Sequence, residues 1–432
     1  MARSRISIAV LVTRWDGTSV NEETYTAAPG CRPWHARLTD AIGERLMRWG
    51  VPVGRLTEES LCRAARRHTR LEDFGADDFR TPLRIVLRDF EEDENVGFLG
   101  RLAVRRMIVE GLVNRLRIEQ ALRRHPEILC VEIRPPLFVV GMPRTGTTLL
   151  HNLLAQDPEG RAPLLWELMS PWPLAKPRPG RPDPRIRRIR RQIEFLSRFS
   201  PKAARAIHEF HAEEPEECHY LFRNSMATQT FRAFADVPRF GRWKLEHDMI
   251  PEYRYYRRQL QMLLWQRGAG HLVLKFPGHA WHLDALLEIF PDARVVCTHR
   301  DPVKTVGSFC SMVATVRFAF SKRVDTVQLG RVLTLELETG LQRMMASREH
   351  ADASRFFDVK YDALVQDPFR VVRDIYRHFD MPFSDETDRG MKRWLEEHRQ
   401  HRHGKHVYHL SQYGLDEDEL RERFAPYWQR FG

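Results

Sequence analysis

Residues 137 to 148 read Leu-Phe-Val-Val-Gly-Met-Pro-Arg-Thr-Gly-Thr-Thr, and these residue types suit one task, holding a phosphate-like group. Gly141 and Gly146 have the G-x-x-x-x-G spacing of a Walker A loop. In a strand–loop–helix of that kind, successive backbone N–H groups and the helix N-terminus point at the anion. Gly146 lets the backbone approach an oxygen, Pro143 stiffens the turn, and Thr145, Thr147 and Thr148 add hydroxyl donors. The lysine that nucleotide triphosphatases place after the second glycine is missing. Thr147 stands in its position, and the cation of the loop is Arg144, inside it.

A second anion-binding set follows much later. Val295-Val296-Cys297-Thr298-His299-Arg300-Asp301-Pro302 is an apolar strand that brings Arg300 to its carboxyl end, with a helix opening at Pro302. Ser308 lies two turns along that helix, so Arg300 and Ser308 can reach one phosphate. Transfer of a group to an alcohol or amine also needs a base near the attacking atom. Glu167, at the expected end of a short strand Ala162–Trp166, is one candidate. His279, just after Lys275-Phe276-Pro277-Gly278, is a second, and Lys275 sits at a strand end from which it can stabilise the transferring group. The acidic run Glu213 to Glu217 is a third, but acids at a helix start are favoured by the macrodipole whatever the function, so capping is its expected role. His219 is a possible pocket-lining residue.

These residues need a scaffold, and the hydrophobic pattern predicts one. Short apolar runs at Leu137–Val140, His271–Phe276, Arg294–Thr298 and Phe356–Val359 alternate with helical stretches at Gly146–Gln156, His279–Phe290 and Pro302–Val316. Such alternation implies an α/β fold, a parallel sheet flanked by helices. Ligands on such sheets bind at the carboxyl ends of the strands, where the loop and Arg300 fall. Ahead of the sheet, His35–Trp49, Thr57–Thr69, Thr81–Phe90 and about Asn95–His125 have apolar residues at three- and four-residue spacing, a helical N-terminal addition. Residues 1 to 35 lack a sustained period and read as a disordered tail. Residues 36 to 130 form the helical region, and 131 to 432 the α/β domain. Pro171 to Pro184 is too proline-rich for helix or central strand. With the basic helix Arg185–Arg198 it makes an insertion suited to a substrate wall.

Composition excludes several classes. The 432 residues carry a net charge of +11, which suits an anionic ligand, an acidic substrate or a membrane surface. The six cysteines show no C-x-x-C spacing, so free thiols in a reducing compartment are expected, and no zinc site. The tail His398 to His409 is rich in His, Arg and Lys but lacks the Cys or carboxylate pattern of a metal tract. The longest early apolar run, Ile6 to Val12, is too short to span a bilayer. A cytoplasmic protein without an integral membrane segment is the expectation.

The loop and the later Arg…Ser set, in this order and separation, resemble the PAPS-dependent sulfotransferases, most of all the bacterial-type branch whose loop reads P-R-[ST]-G-T-T. The resemblance extends over most of residues 55 to 428, including Ala162-Pro163-Leu164-Leu165-Trp166-Glu167, Glu213-Glu214-Pro215-Glu216-Glu217, Tyr361-Asp362-Ala363-Leu364 and His403-Gly404-Lys405-His406. It implies a P-loop NTPase-like sheet and 3′-phosphoadenylyl sulfate (PAPS) as co-substrate. It gives the 5′-phosphosulfate to the loop and the 3′-phosphate to Arg300 and Ser308. It also explains the missing lysine: a sulfuryl group carries less charge than a terminal phosphoryl group and needs no metal-and-lysine clamp. Arg144 then offsets charge on the leaving phosphate. The resemblance favours Glu167 as base, keeps His279 as the alternative, brings Tyr361 to the adenine region and places Lys405 in a segment that closes over the 3′-phosphate. The acceptor class is a small molecule, lipid or glycan, with a hydroxyl or amine as its reacting group. Two rivals remain, a P-loop kinase or ATPase, which the absent lysine disfavours, and a nucleic-acid-binding protein. The cations cluster about one nucleotide-sized site without aromatic interleaving, so no nucleic acid is expected as partner.

Overall fold

The computed structural model describes residues 24–25, 34–49, 51, 54–174, 180–199, 210–268, 270–398, 405–406 and 408–432. At its centre is a parallel sheet of five strands, β2 Leu137–Gly141, β3 Gly160–Arg161, β4 His271–Lys275, β5 Arg294–His299 and β6 Phe356–Lys360, in the order β3-β4-β2-β5-β6. β2 therefore lies centrally, with Val139 opposite Lys275 on one side and Gly141 opposite Thr298 on the other. That register puts the end of the loop strand beside both other strand ends of interest.

The strands have this form because both faces are covered. All five residues of β2 are buried. Successive side chains of a strand point to opposite faces, and Phe138 and Val140 join one core with Leu272, Leu274, Val295 and Cys297. Leu137 and Val139 join another with Val273, Val296 and the helix residues Leu150, Leu153 and Leu154. A sheet buried on both sides needs near-continuous apolar strands, the pattern the sequence shows.

The helical N-terminal region consists of helices Trp34–Arg48, Glu58–Thr69, Arg80–Glu92 and Phe98–Arg124. Thr57 caps the second by accepting from the Ser60 N–H at 3.3 Å. The apolar faces of the last three share a core with Met226, Phe231, Ala235, Val237 and Phe240. Arg115, 1% exposed, joins these helices to the loops beside them. It donates to the Phe74 and Ala76 carbonyls, each at 2.7 Å, and pairs with Asp78 at 2.5 Å. No helix among the described residues is long and apolar enough to cross a membrane.

Several local expectations are corrected. No strand covers Ala162–Trp166. The edge strand β3 is only Gly160–Arg161, and a short helix, Leu165–Met169, takes its place. His279 does not open an α-helix but lies in a 3-10 turn, Pro277–His282, ahead of the helix Leu283–Ile289. The basic helix runs Pro184–Phe199, and the helix from Pro302 continues to Phe320. The tail expected over residues 1–35 lies outside the described residues, except for β1 (Thr24–Tyr25) and Trp34, which opens the first helix; β1 pairs in parallel with β7, Lys405–His406.

Candidate nucleotide and transfer site

The loop between β2 and the helix Thr147–Leu154 is held by its own backbone. Gly141 adopts φ 140° and Gly146 φ 86°. A Cβ on Gly141 would come within 2.5 Å of the Thr298 carbonyl oxygen, and one on Gly146 within 3.2 Å of the Tyr361 ring. Arg144 is also left-handed, at φ 69°, a conformation that costs a non-glycine residue about 1–2 kcal/mol. Its carbonyl is fixed there by the Arg300 Nη1, 3.0 Å away. No side chain caps the helix that starts at Thr147, so its first N–H groups face the loop unspent. Thr145 departs from the sequence reading. Fully buried, its hydroxyl donates to the Met142 carbonyl at 2.7 Å and lies 2.5 Å from the Thr298 hydroxyl. It closes the loop on itself, which leaves the exposed Thr148 and the N-terminal Thr147 as the hydroxyls on the helix start.

Arg144, Arg300 and Ser308 come together. The Arg144 Nε donates to Ser308 Oγ at 3.2 Å, which joins the loop's cation to the later strand–helix instead of leaving it alone at the loop tip. The Arg300 guanidinium lies over the Tyr361 ring, 4.0 Å from its centroid, a cation–π contact. Surrounding protein, and then Arg300, push the Arg144 pKa below its ordinary value. Neither arginine has a carboxylate partner among the described residues. Two adjacent cations with no counter-ion, beside an uncapped helix start, form an incomplete site that an anion completes.

The strand behind Arg300 is braced. His299 Nε2 lies 2.7 Å from Asp358 and its Nδ1 2.8 Å from the Tyr427 hydroxyl, and its ring stacks on Phe431. Arg348 grips the same Asp358 carboxylate with both terminal nitrogens, at 2.6 and 2.8 Å. Burial alone raises the Asp358 pKa, but Arg348 and His299 outweigh it and hold the carboxyl well below the usual range. One residue missed in the sequence is Tyr408, whose hydroxyl donates to the Lys304 carbonyl at 2.8 Å. Gly307 has no room for a Cβ because the Tyr408 ring would lie 2.5 Å from it. The chain after β7 thus crosses the helix one residue from Ser308. Gly404 lies outside the described residues, and of Lys405 only the strand position is described.

The candidate bases separate clearly. Glu167 is 3% exposed and engaged: one oxygen accepts from the Leu164 N–H at 3.0 Å and the other from Arg161 at 2.7 Å, with Arg267 at 3.6 Å. It caps the helix Leu165–Met169, whereas the sequence put it at a strand end. His279 is fully buried, its Nδ1 2.6 Å from the Tyr253 hydroxyl and its Nε2 3.3 Å from Cys218 Sγ. Burial drives its pKa well below the ordinary value. The proline-led turn tucks the ring into the core, among Phe138, Phe222 and Phe276. Lys275, 1% exposed, donates to Glu217 at 2.9 Å. Burial raises the Glu217 pKa, but Lys275 outweighs it and holds the carboxyl below its ordinary value. Glu217 makes no capping bond at the turn it precedes, contrary to the capping role expected for the acidic run. It keeps a quarter of its side chain exposed, at 26%, so it is the half-open carboxylate beside a strand end. Its position depends on the pairing of Pro215 with Leu164, which no local pattern announces. Among the described residues no cluster of His, Cys, Asp and Glu could hold a metal ion.

Comparisons with known proteins bear on this geometry. A model of the sulfotransferase family matches residues 135–385, more than half of the chain. The omega-hydroxy-beta-dihydromenaquinone-9 sulfotransferases Stf3 of Mycobacterium bovis and Mycobacterium tuberculosis are each 23% identical over 301 residues, 68% of this chain and 75% of theirs. Among solved structures, sulfotransferase STF1 from Mycobacterium tuberculosis is 33% identical, with 86% of this chain and 98% of that one covered and a TM-score of 0.74. Sulfotransferase STF9 from Mycobacterium avium is 31% identical, with 87% and 96% covered and a TM-score of 0.79.

Proposed function

Because this chain belongs to the sulfotransferase family, with its P-loop NTPase-like sheet, we propose that the sulfuryl group it transfers comes from PAPS and goes to a hydroxyl or amine. The single observation that carries this reading is the pair Arg144 and Arg300, without a carboxylate partner among the described residues: Arg300 donates to the Arg144 carbonyl and Arg144 to Ser308, beside the uncapped helix start. The donor supplies a sulfuryl group on a good leaving phosphate. The loop N–H groups, Thr147 and Thr148 hold its 5′-phosphosulfate, and Arg300 and Ser308 hold its 3′-phosphate. Arg144 spans the two ends and offsets the charge left on the departing phosphate. Tyr361 backs Arg300 and lies where the adenine enters, and Lys405 belongs to the segment that passes over the 3′-phosphate.

The acceptor oxygen or nitrogen attacks sulfur in line. The bond from sulfur to the bridging oxygen breaks, and adenosine 3′,5′-bisphosphate leaves. Glu217 takes the acceptor's proton, and the Lys275 ammonium beside it stabilises the transferring sulfuryl. Glu167 and His279 are committed to structural hydrogen bonds, so they hold the site's walls. The acceptor is a hydroxylated small molecule, lipid or glycan. A lipid is favoured by the Stf3 relatives, which are named for a menaquinone substrate.

Calorimetry tests the donor. Adenosine 3′,5′-bisphosphate is expected to bind, and ATP with Mg²⁺ and duplex DNA are not. Arg300→Ala removes a charged hydrogen-bonding group, worth about 1.5–3 kcal/mol, and so weakens the nucleotide about 10- to 100-fold. Unchanged affinity in that variant would sink the 3′-phosphate assignment.

A further inference from the structure

Behind the Glu217–Lys275 pair lies a cavity of about 10 Å³, room for a single oxygen-sized group. Its lining includes Lys244, His219, His282, Gln229, Phe276 and Tyr253. Phe276 follows Lys275, and the His219 Nε2 stands 4.0 Å from Glu217, so cavity and pair share a wall. Lys244 is 6% exposed, and its ammonium has no partner among the described residues. The charges around it are already engaged with one another: Arg232 with Glu336 at 2.5 Å, and Glu252 with His247 at 3.3 Å. The Gln229 Nε2, His219 Nδ1 and His282 Nε2 are buried and likewise without a hydrogen bond. Lysine has only donors, as does the amide nitrogen of glutamine, and a neutral imidazole supplies one N–H. The Lys244 ammonium and the Gln229 amide N–H are therefore unmet donors at this cavity, and such groups are costly to leave unpaired.

Building on the sulfotransferase reading, we propose that this cavity takes an anionic oxygen of the acceptor, which is then a hydroxy compound bearing a carboxylate. Burial first, and Arg232 second, bring the Lys244 pKa down to about 7. A bound carboxylate restores the protonated lysine, so binding strengthens as pH falls through that value. Arg232, Glu336, Glu252, His219 and His282 are the other titratable groups facing it. Arg232 and Glu336 offset each other. His282 and His219 are held neutral mainly by burial, His219 at about 4.

Calorimetric titration of the full chain with formate reads the site. Wild type is expected to bind formate near pH 6 and about 30-fold more weakly near pH 8.5. Lys244→Met loses binding about tenfold near pH 6, and Gln229→Leu weakens it several-fold and serves if the first variant does not fold. With labelled PAPS, Lys244→Met lowers kcat/KM for a hydroxy acid about tenfold and leaves its methyl ester unaffected. No formate binding in wild type, as for a cavity holding water alone, or equal loss for acid and ester, overturns the proposal. Adenosine 3′,5′-bisphosphate titrated into the same samples separates the two failures, since its failure to bind wild type would strike the donor reading and not the cavity.

Discussion

At the scale of residues, the site depends on which charges are paired and which are not. Lys275, buried, is paired with the half-open Glu217, 2.9 Å away, whereas Arg144 and Arg300 have no carboxylate partner among the described residues. A buried pair keeps both groups ionised, and an unpaired cation waits for a ligand. Glu217→Gln preserves shape and hydrogen bonding while removing the proposed proton acceptor. Single-turnover kinetics should therefore show the transfer step slowed by about 10²–10⁴ with nucleotide affinity unchanged; a variant that keeps wild-type turnover would return the base to Glu167 or His279. At Asp358 the sign runs toward acid. Its pKa is depressed in the folded protein, so its contribution is complete above the unfolded value near 3.9 and is lost as pH falls below it. In urea titrations between about pH 6 and pH 3, Asp358→Asn should be less stable than wild type at the upper end. The gap should narrow towards the lower end and close only at still lower pH, as the depressed folded value is passed.

At the scale of elements, the strands show what a sequence can announce. Leu137–Gly141 and Arg294–His299 are apolar runs because a parallel strand between two helix layers has no polar face, and the parallel sheet was legible from that pattern. The loop was legible too, since glycine spacing is set by backbone geometry within a few residues. The edge was not: β3 has only two residues, too few to carry a period, and the neighbouring Leu165–Met169 is a single helical turn closed by Glu167. The Glu217–Lys275 contact joins positions 58 residues apart and depends on how two irregular segments lie together. Helix-start chemistry hid it, because an acid before a turn looks the same whether it caps or catalyses. The strap that carries Tyr408 over Gly307 was equally hidden, since a glycine that makes room for a distant ring has no local signature.

At the scale of the whole molecule, the N-terminal helices and the sheet are fastened together. Arg115 sits in the long helix Phe98–Arg124 and binds carbonyls of the 74–76 loop and the Asp78 carboxylate, with its guanidinium 4.4 Å from the Tyr255 ring centroid. Arg115→Met removes the buried guanidinium's bonds to two carbonyls and to the part-exposed Asp78, a loss of about 1.5–3 kcal/mol. Urea denaturation should show that loss as one shifted transition for the whole chain; an early separate transition, with the remainder unfolding as in wild type, would mean the helices fold apart from the sheet. The net charge of +11 makes the nucleotide's affinity fall as salt rises.

The hydrogen bond from Arg300 to the carbonyl of the strained Arg144 has a kinetic consequence. On the proposed PAPS reading, its grip, with Ser308, falls on phosphates that the donor and its spent form have in common, and only the sulfuryl end differs between them. Interactions made equally before and after the reaction cannot speed the chemistry, and they hold back departure. The cycle should therefore run at the pace of letting go. Pre-steady-state measurements should give a burst of sulfated product followed by a slower steady rate. Added adenosine 3′,5′-bisphosphate should compete with the donor at an affinity close to the donor's own, and loosening Arg300 should shrink the burst.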